Sequence, residues 1–147
     1  MNFLQLELLK VTLQLTKRQE NESRFNSKSK DNTIRVSPLK LANITRSIVN
    51  KKANNAVNQL KFSNKRIANN VLKVLNAAIA NAENNKQLDI DNLYIKEAFV
   101  GKSLSMKRFR PRAKGRASSI LKPFSKLTII VEERTSIKKD IVKDKEK

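Results

Sequence analysis

Residues 106–116 constrain the fold most. The run Met106-Lys107-Arg108-Phe109-Arg110-Pro111-Arg112-Ala113-Lys114-Gly115-Arg116 holds six cations in eleven residues and no acid. A compact core cannot take up such a segment, because each unpaired buried charge costs several kcal/mol. Its flanks have another character. Leu93, Ile95 and Phe99 precede it at alternating positions, and Leu127, Ile129 and Val131 follow it in the same way. That period of two marks half-buried strands and predicts that these six side chains face one core. The pattern therefore predicts an antiparallel hairpin over about residues 98–127 that leaves the body and returns. Both glycines of the chain lie in it. Gly115 can supply positive φ at or near the turn, and Gly101 marks a bulge where the ribbon leaves the body. Arms of about ten residues at roughly 3.3 Å each reach about 30 Å. A lone two-stranded ribbon is marginal in water, so an arm of this kind calls for a surface to bind.

Charge is distributed to the same effect. The formal net charge is +19. Residues 32–82 contain nine basic residues and no acid, and so do residues 98–131. These two blocks account for nearly the whole excess, so the anion-binding surface belongs to them. A charge this large repels itself in a compact state, and a polyanion is its natural counterpart. In the first block Arg35, Lys40, Arg46, Lys51, Lys52, Lys61, Lys65, Arg66 and Lys73 have no acidic neighbour to pair with, which favours phosphate contacts over an ordinary solvated face.

Between these features the spacing is helical. Thr33-Ile34-Arg35-Val36 reads as a short strand. Ser37 is a good N-cap, and Pro38 suits the first helical position, where its missing N–H costs nothing. Leu41, Ile44, Ile48 and Val49 predict a first helix to about Asn50. Ala53, Ala56, Val57 and Leu60 predict a short second one. Ser63 is read as the cap of a third, whose face is Ile67, Val71, Leu75, Ala78, Ile79 and Ala82, widened by Ala68 and Leu72. Asn84-Asn85 is expected to end it. Asp89 and Asp91 have no His partner and read as turn formers.

The ends differ in composition. Residues 1–18 are Leu-rich with mixed periods, which allows a short helix or strand, and they lack the layout of a secretory signal. Residues 16–32 are polar and read as a flexible linker, so that 1–32 form an extension, 33–134 the domain, and 135–147 a charged tail of mixed sign. Without Cys or His the chain has no thiol nucleophile, no Cys/His zinc site and no neutral-pH general base of the usual kind. No cofactor, metal or catalytic residue is expected. No apolar run is long enough for a membrane span.

The residues also resemble a known family. Arg35-Val36-Ser37-Pro38-Leu39-Lys40, Ala78-Ile79-Ala80-Asn81-Ala82-Glu83-Asn84, the run 106–117 and Leu127-Thr128-Ile129-Ile130-Val131 are similar, in order and spacing, to the bacterial-type large-subunit ribosomal protein twenty-two family, whose hallmark is a hairpin in the peptide exit tunnel. The resemblance covers about two-thirds of the chain, and residues 1–18 with their linker exceed it. It implies an α+β fold, three helices on a small three-stranded antiparallel sheet with a long protruding basic hairpin. It implies large-subunit ribosomal RNA, neighbouring large-subunit proteins and the nascent peptide as partners, with no membrane and no homo-oligomer. Residues expected at RNA are Arg35, Lys40, Arg46, Lys51, Lys52, Lys65, Arg66, Lys102, Lys107, Arg108, Arg110, Arg112, Lys114, Arg116 and Lys122. By motif match, Met106, Lys107 and Arg108 fall where the family's macrolide-resistance changes occur, and Lys114, Gly115 and Arg116 at the tunnel-facing tip. Met106 and Phe109 read as groups that stack or pack at an RNA surface. Val100-Gly101-Lys102-Ser103 and Lys122-Pro123-Phe124-Ser125 look most like alphaproteobacterial members, which implies a bacterial cytoplasmic ribosome, with an organelle ribosome as the alternative. The rival reading is a DNA-architectural protein with a basic β-arm and Pro111 as a wedge. Such proteins build their body as a dimer, whereas this chain supplies its own three-helix core.

Overall fold

The computed structural model describes residues 25–134, together with Thr12 and Gln14. Apart from those two residues, which are helical, the readings made for the Leu-rich segment and the charged tail lie outside the described residues. The elements run in the order β1 (Asn26–Ile34), α1 (Pro38–Arg46), α2 (Ala53–Lys61), α3 (Ala68–Lys86), β2 (Leu93–Pro111) and β3 (Ala117–Glu133). The strands form one antiparallel sheet in the order β1-β3-β2. Three helices pack on one of its faces, so the expected α+β class holds.

The core lies between that face and the helices. Leu127, Ile129 and Val131 of β3 are fully buried, as their alternation requires, and meet Leu93 and Ile95 of β2, Leu41, Ile44 and Ile48 from the first helical segment, and Leu60 of α2. Helix α3 contributes Ala68, Val71, Val74, Leu75, Ala78 and Ala82, with Ile67, Leu72 and Ile79 half-buried at its margins. The small residues at 78 and 82 let the helix approach the sheet closely.

The polar stretch 26–32, read as the end of a linker, is instead most of β1, and the body begins about seven residues earlier than 33. Its inward positions carry serines in place of large apolar groups. Buried Ser27 donates its hydroxyl to the Ala78 carbonyl of α3 at 3.3 Å, and Asn81 donates to the Lys28 carbonyl. A strand pressed this close to a helix has room only for small side chains. Asp31 accepts from the backbone N–H of Thr33 at 3.0 Å, which turns the chain at the register shift before Ile34. Charge and a bulge at an edge strand also discourage pairing with other chains.

Helix ends differ from the sequence reading in three places. Helix α1 stops at Arg46, because Ser47 and Thr45 bond back to the carbonyls of Ile44 and Ala42 and Asn50 takes a left-handed conformation. That bend lets the Asn50 N–H donate to the Ile95 carbonyl and the Lys51 carbonyl accept from Ile95, which covers the outer edge of β2. Helix α3 starts at Ala68, since Ser63 caps only a local turn by accepting from Lys65 N–H. It ends at left-handed Gln87, where Leu88 folds back to donate to the Ala82 carbonyl and bury itself. Pro38 does open α1, although the side chain of Ser37 makes no capping bond. Asp89 and Asp91 stay in the turn: Asp89 accepts from the Asp91 N–H and the Asn92 amide, and Asp91 accepts from the Asn54 amide.

Phe99 departs from expectation for a specific reason. Ile95 pairs with Val131 but Glu97 pairs with Ile130, so one extra residue is inserted at Lys96. A one-residue slip exchanges the faces of everything beyond it. Ala98 and Val100 therefore pack on the core, and Phe99 stands 55% exposed on the opposite face.

Two outcomes follow for stability. Leu75→Ala leaves a void under three helices and lowers unfolding free energy by about 3 kcal/mol, measured by urea denaturation. Phe99→Ala changes it by under about 1 kcal/mol, because its ring is not part of the core; a loss comparable to that of Leu75→Ala would contradict the assigned register.

Candidate nucleic-acid interface

Beyond the core, β2 and β3 stay paired as far as Pro111 opposite Ala117. Arg112 N–H then donates to the Arg116 carbonyl at 2.8 Å and closes the turn. Gly115 has φ of 69°, the positive value expected there, and Lys114 shares it at 59°. A left-handed L-residue costs about 1 kcal/mol, which sequence reading did not assign to Lys114. A Cβ at Gly115 would touch nothing within 4 Å, so backbone conformation rather than space asks for glycine there. Gly101 does not form the bulge. It pairs regularly with Lys126, whose stem lies over it, and an added Cβ would stand 2.5 Å from the Lys126 Cε. The irregularity lies just beyond, at Ser103 and Leu104.

All residues from 106 to 122 are exposed. Pairing sorts them onto two faces. Met106, Arg108 and Arg110 stand opposite Lys122, Ile120 and Ser118, while Lys107, Phe109 and Pro111 stand opposite Leu121, Ser119 and Ala117. The first face carries Arg108, Arg110 and Lys122. The second presents Phe109, 75% exposed, with Leu121 near it. The Arg108 guanidinium lies back along its own strand, donating to the Lys107 carbonyl at 2.8 Å and approaching the Met106 sulfur at 3.8 Å.

At the root of the arm, cations far apart in sequence converge. Arg35, Lys40, Arg66 and Lys122 line one open cleft of about 440 Å³. It is lined by the β1–α1 connection, the turn before α3 and residues 121–123 of β3, and beside the cations stand Ser37 and the apolar Val36, Ile67, Leu121 and Pro123. Two hydroxyls hold these pieces together. Fully buried Ser125 donates to the Val36 carbonyl at 2.6 Å, and Ser103 donates to the Asn32 carbonyl at 2.8 Å. Lys65 is the exposed neighbour of Arg66. The other expected residues lie apart from the cleft lining. Arg46 is exposed in the last turn of α1, and Lys51 and Lys52 belong to the segment that covers the edge of β2, with the Lys51 ammonium donating to Gln59 at 2.6 Å. Lys102 is exposed opposite buried Ser125.

None of these cations is neutralised by an acid among the described residues. Among the described residues, the acid-free blocks enter no salt bridge; Glu132 takes both Lys96 and Arg134, and Arg134 also lies over the Tyr94 ring at 5.0 Å. Sequence reading missed Lys28 and Lys30, which stand exposed on β1. The alternation of Ser27 and Ser29 with these lysines was the available signal. It also missed the exposure of Phe62, 85% free at the end of α2 between Lys61 and Lys65.

Comparison with known proteins gives a consistent result. Residues 29–132 match the family model described as ribosomal protein L22p/L17e. Large ribosomal subunit protein uL22 of Phenylobacterium zucineum (strain HLK1) is 58% identical over 106 residues, covering 72% of this chain and 84% of that protein. The uL22 protein of Pelagibacter ubique (strain HTCC1062) is 55% identical over 106 residues, covering 72% and 80%. That of Maricaulis maris (strain MCS10) is 55% identical over 114 residues, covering 78% and 87%. With a matched region that runs from within β1 to within β3 and takes in α1, α2, α3 and β2, the chain belongs to the ribosomal protein L22p/L17e family.

Proposed function

We propose that this chain is a structural constituent of the large ribosomal subunit that binds large-subunit ribosomal RNA, aids its assembly and lines the nascent-peptide exit tunnel with the tip of its arm. One observation carries the reading: the arm exposes every residue from 106 to 122, and its cations have no acidic partner among the described residues. Such a surface gains its stability from an external polyanion. The family membership, with relatives that are large ribosomal subunit proteins, supports large-subunit ribosomal RNA as that polyanion.

The mechanism is electrostatic and geometric. Phosphates are neutralised by Arg108, Arg110, Arg112, Arg116, Lys107, Lys114 and Lys122, and condensed counterions are released. Guanidinium groups fork onto two phosphate oxygens or stack on bases, which fixes the arm's orientation as well as its affinity. Arg35, Lys40, Arg46, Lys51, Lys52, Lys65, Arg66 and Lys102 extend the contact over the body and the root of the arm. Lys114, Gly115 and Arg116 at the tip of the arm, and Met106, Lys107 and Arg108 nearer its root, line the tunnel beside the nascent peptide. Neighbouring large-subunit proteins complete the surroundings of the body. The role is architectural and involves no turnover. Residues 26–134 act as the RNA-binding unit, on a ribosome of bacterial type in the cytoplasm.

The direct test is co-sedimentation. The tagged chain travels with large subunits at moderate salt; recovery with the nucleoid instead would support a DNA-architectural role and overturn the proposal. In purified form, raising monovalent salt from about 50 to about 200 mM weakens binding to large-subunit RNA about a thousandfold or more, as read by filter binding. The double variant Arg112→Ala with Arg116→Ala weakens docking of the arm and leaves the melting temperature of the free body unchanged, since these exposed side chains touch no core residue; global unfolding of the variant would contradict this division. Deleting residues 106–108 removes an odd number of strand positions and turns the remaining tip side chains to the other face. Ribosomes that carry the deletion show altered macrolide sensitivity with assembly largely intact.

A further inference from the structure

We propose that the cleft at the root of the arm is a subsite for one unpaired nucleotide of an RNA strand, its base laid against the apolar lining at Ile67 and Pro123 and its flanking phosphates held by Arg35, Arg66 and Lys122. This rests on the reading of the chain as an RNA-binding protein. Four cations and no acid line the cleft, and three separate segments supply them. That arrangement selects an anion. The rest of the lining is a different matter. Val36, Ile67, Leu121 and Pro123 gain nothing from phosphate, yet they line the same cleft as the charges. A ligand that satisfies both has an apolar, planar part and a doubly charged flank, which describes a nucleotide extruded from its stack. The volume, about 440 Å³, is in the range of small-molecule sites and too small for a paired helix. The site is also held in place, since the buried Ser125 hydroxyl ties the Val36 carbonyl to the arm. Leu121 is 62% exposed, so covering it with a base removes apolar surface from water. The apolar side chains favour a base that is free of its partner over one held in a paired helix.

Methyl-labelled full-length chain, observed by NMR, tests this. It is titrated with inorganic phosphate, with adenosine 5′-monophosphate, with a short fully paired RNA duplex and with the same duplex carrying one bulged adenosine. The methyl signals of Val36, Ile67 and Leu121 shift with the bulged duplex. They saturate at a concentration about tenfold or more below that needed with the mononucleotide, because the flanking phosphates are bound as well. Inorganic phosphate and the paired duplex leave them in place. Leu121→Ala weakens binding of the bulged duplex by about five- to tenfold and changes that of the paired duplex by less than about twofold. Equal methyl shifts with the paired duplex or with phosphate would overturn the subsite in favour of a plain anion patch. Saturation by the mononucleotide at equal or lower concentration would overturn the RNA strand as the source. If the bulged duplex binds while the cleft methyls stay silent, the subsite falls and the RNA-binding function stands; if no RNA binds at all, both fall.

Discussion

Antiparallel pairing between β2 and β3 runs from Leu93 opposite Glu133 to Pro111 opposite Ala117, and the rest of the molecule is arranged around it. At one end the shared surface buries Leu93, Ile95, Leu127, Ile129 and Val131 under three helices. At the other end the same two strands have no partner layer among the described residues and are exposed on both faces. The hydrophobic effect holds the first half, with about 25 cal/mol for each Å² of apolar surface covered. Only the ladder itself holds the second half in the free chain. Two strands alone are marginal, so the arm draws its rigidity from the core at its root and from whatever it meets at its tip.

The root is where these two regimes join, and small polar groups manage it. Ser125 and Ser103 tie the arm to the connection between β1 and α1, and the register shift at Ser103–Leu104 reorients the ribbon as it leaves the sheet. Gly101 lets the Lys126 stem lie across the strand. Because of these ties Arg35, Arg66 and Lys122 share one cleft although up to 87 positions separate them. Cations on the body and on the arm thus form adjoining surfaces, and each of the two acid-free blocks supplies part of one cleft.

Much of this was legible in the residues. The alternation of Leu127, Ile129 and Val131, the face of α3, Pro38 at a helix start and Gly115 at a turn each have one local cause, and each appears where that cause puts it. The misreadings share another origin. β1 was hidden but for its end, Thr33 and Ile34, which fell within the strand read at 33–36, because its earlier inward positions are serines, set by the close approach of Ala78 rather than by strand propensity. Phe99 was assigned to the core because alternation cannot reveal an extra residue at Lys96. Ser63 and Asn84-Asn85 offered plausible helix ends, but the burial of Leu88 and the turn at residues 65–67 decided the limits. The cleft was beyond sequence reading altogether, since tertiary hydrogen bonds bring its walls together.

Amide hydrogen exchange across residues 106–122, compared between the free chain and its complex with large-subunit RNA, tests the central claim most directly. The account predicts that in the free chain these amides exchange far faster than those of residues 127–133 in the same strand pair, and that RNA slows them toward the core values while leaving the core unchanged. An arm already as protected as the core in the free chain, or one whose exchange RNA does not slow, would contradict it.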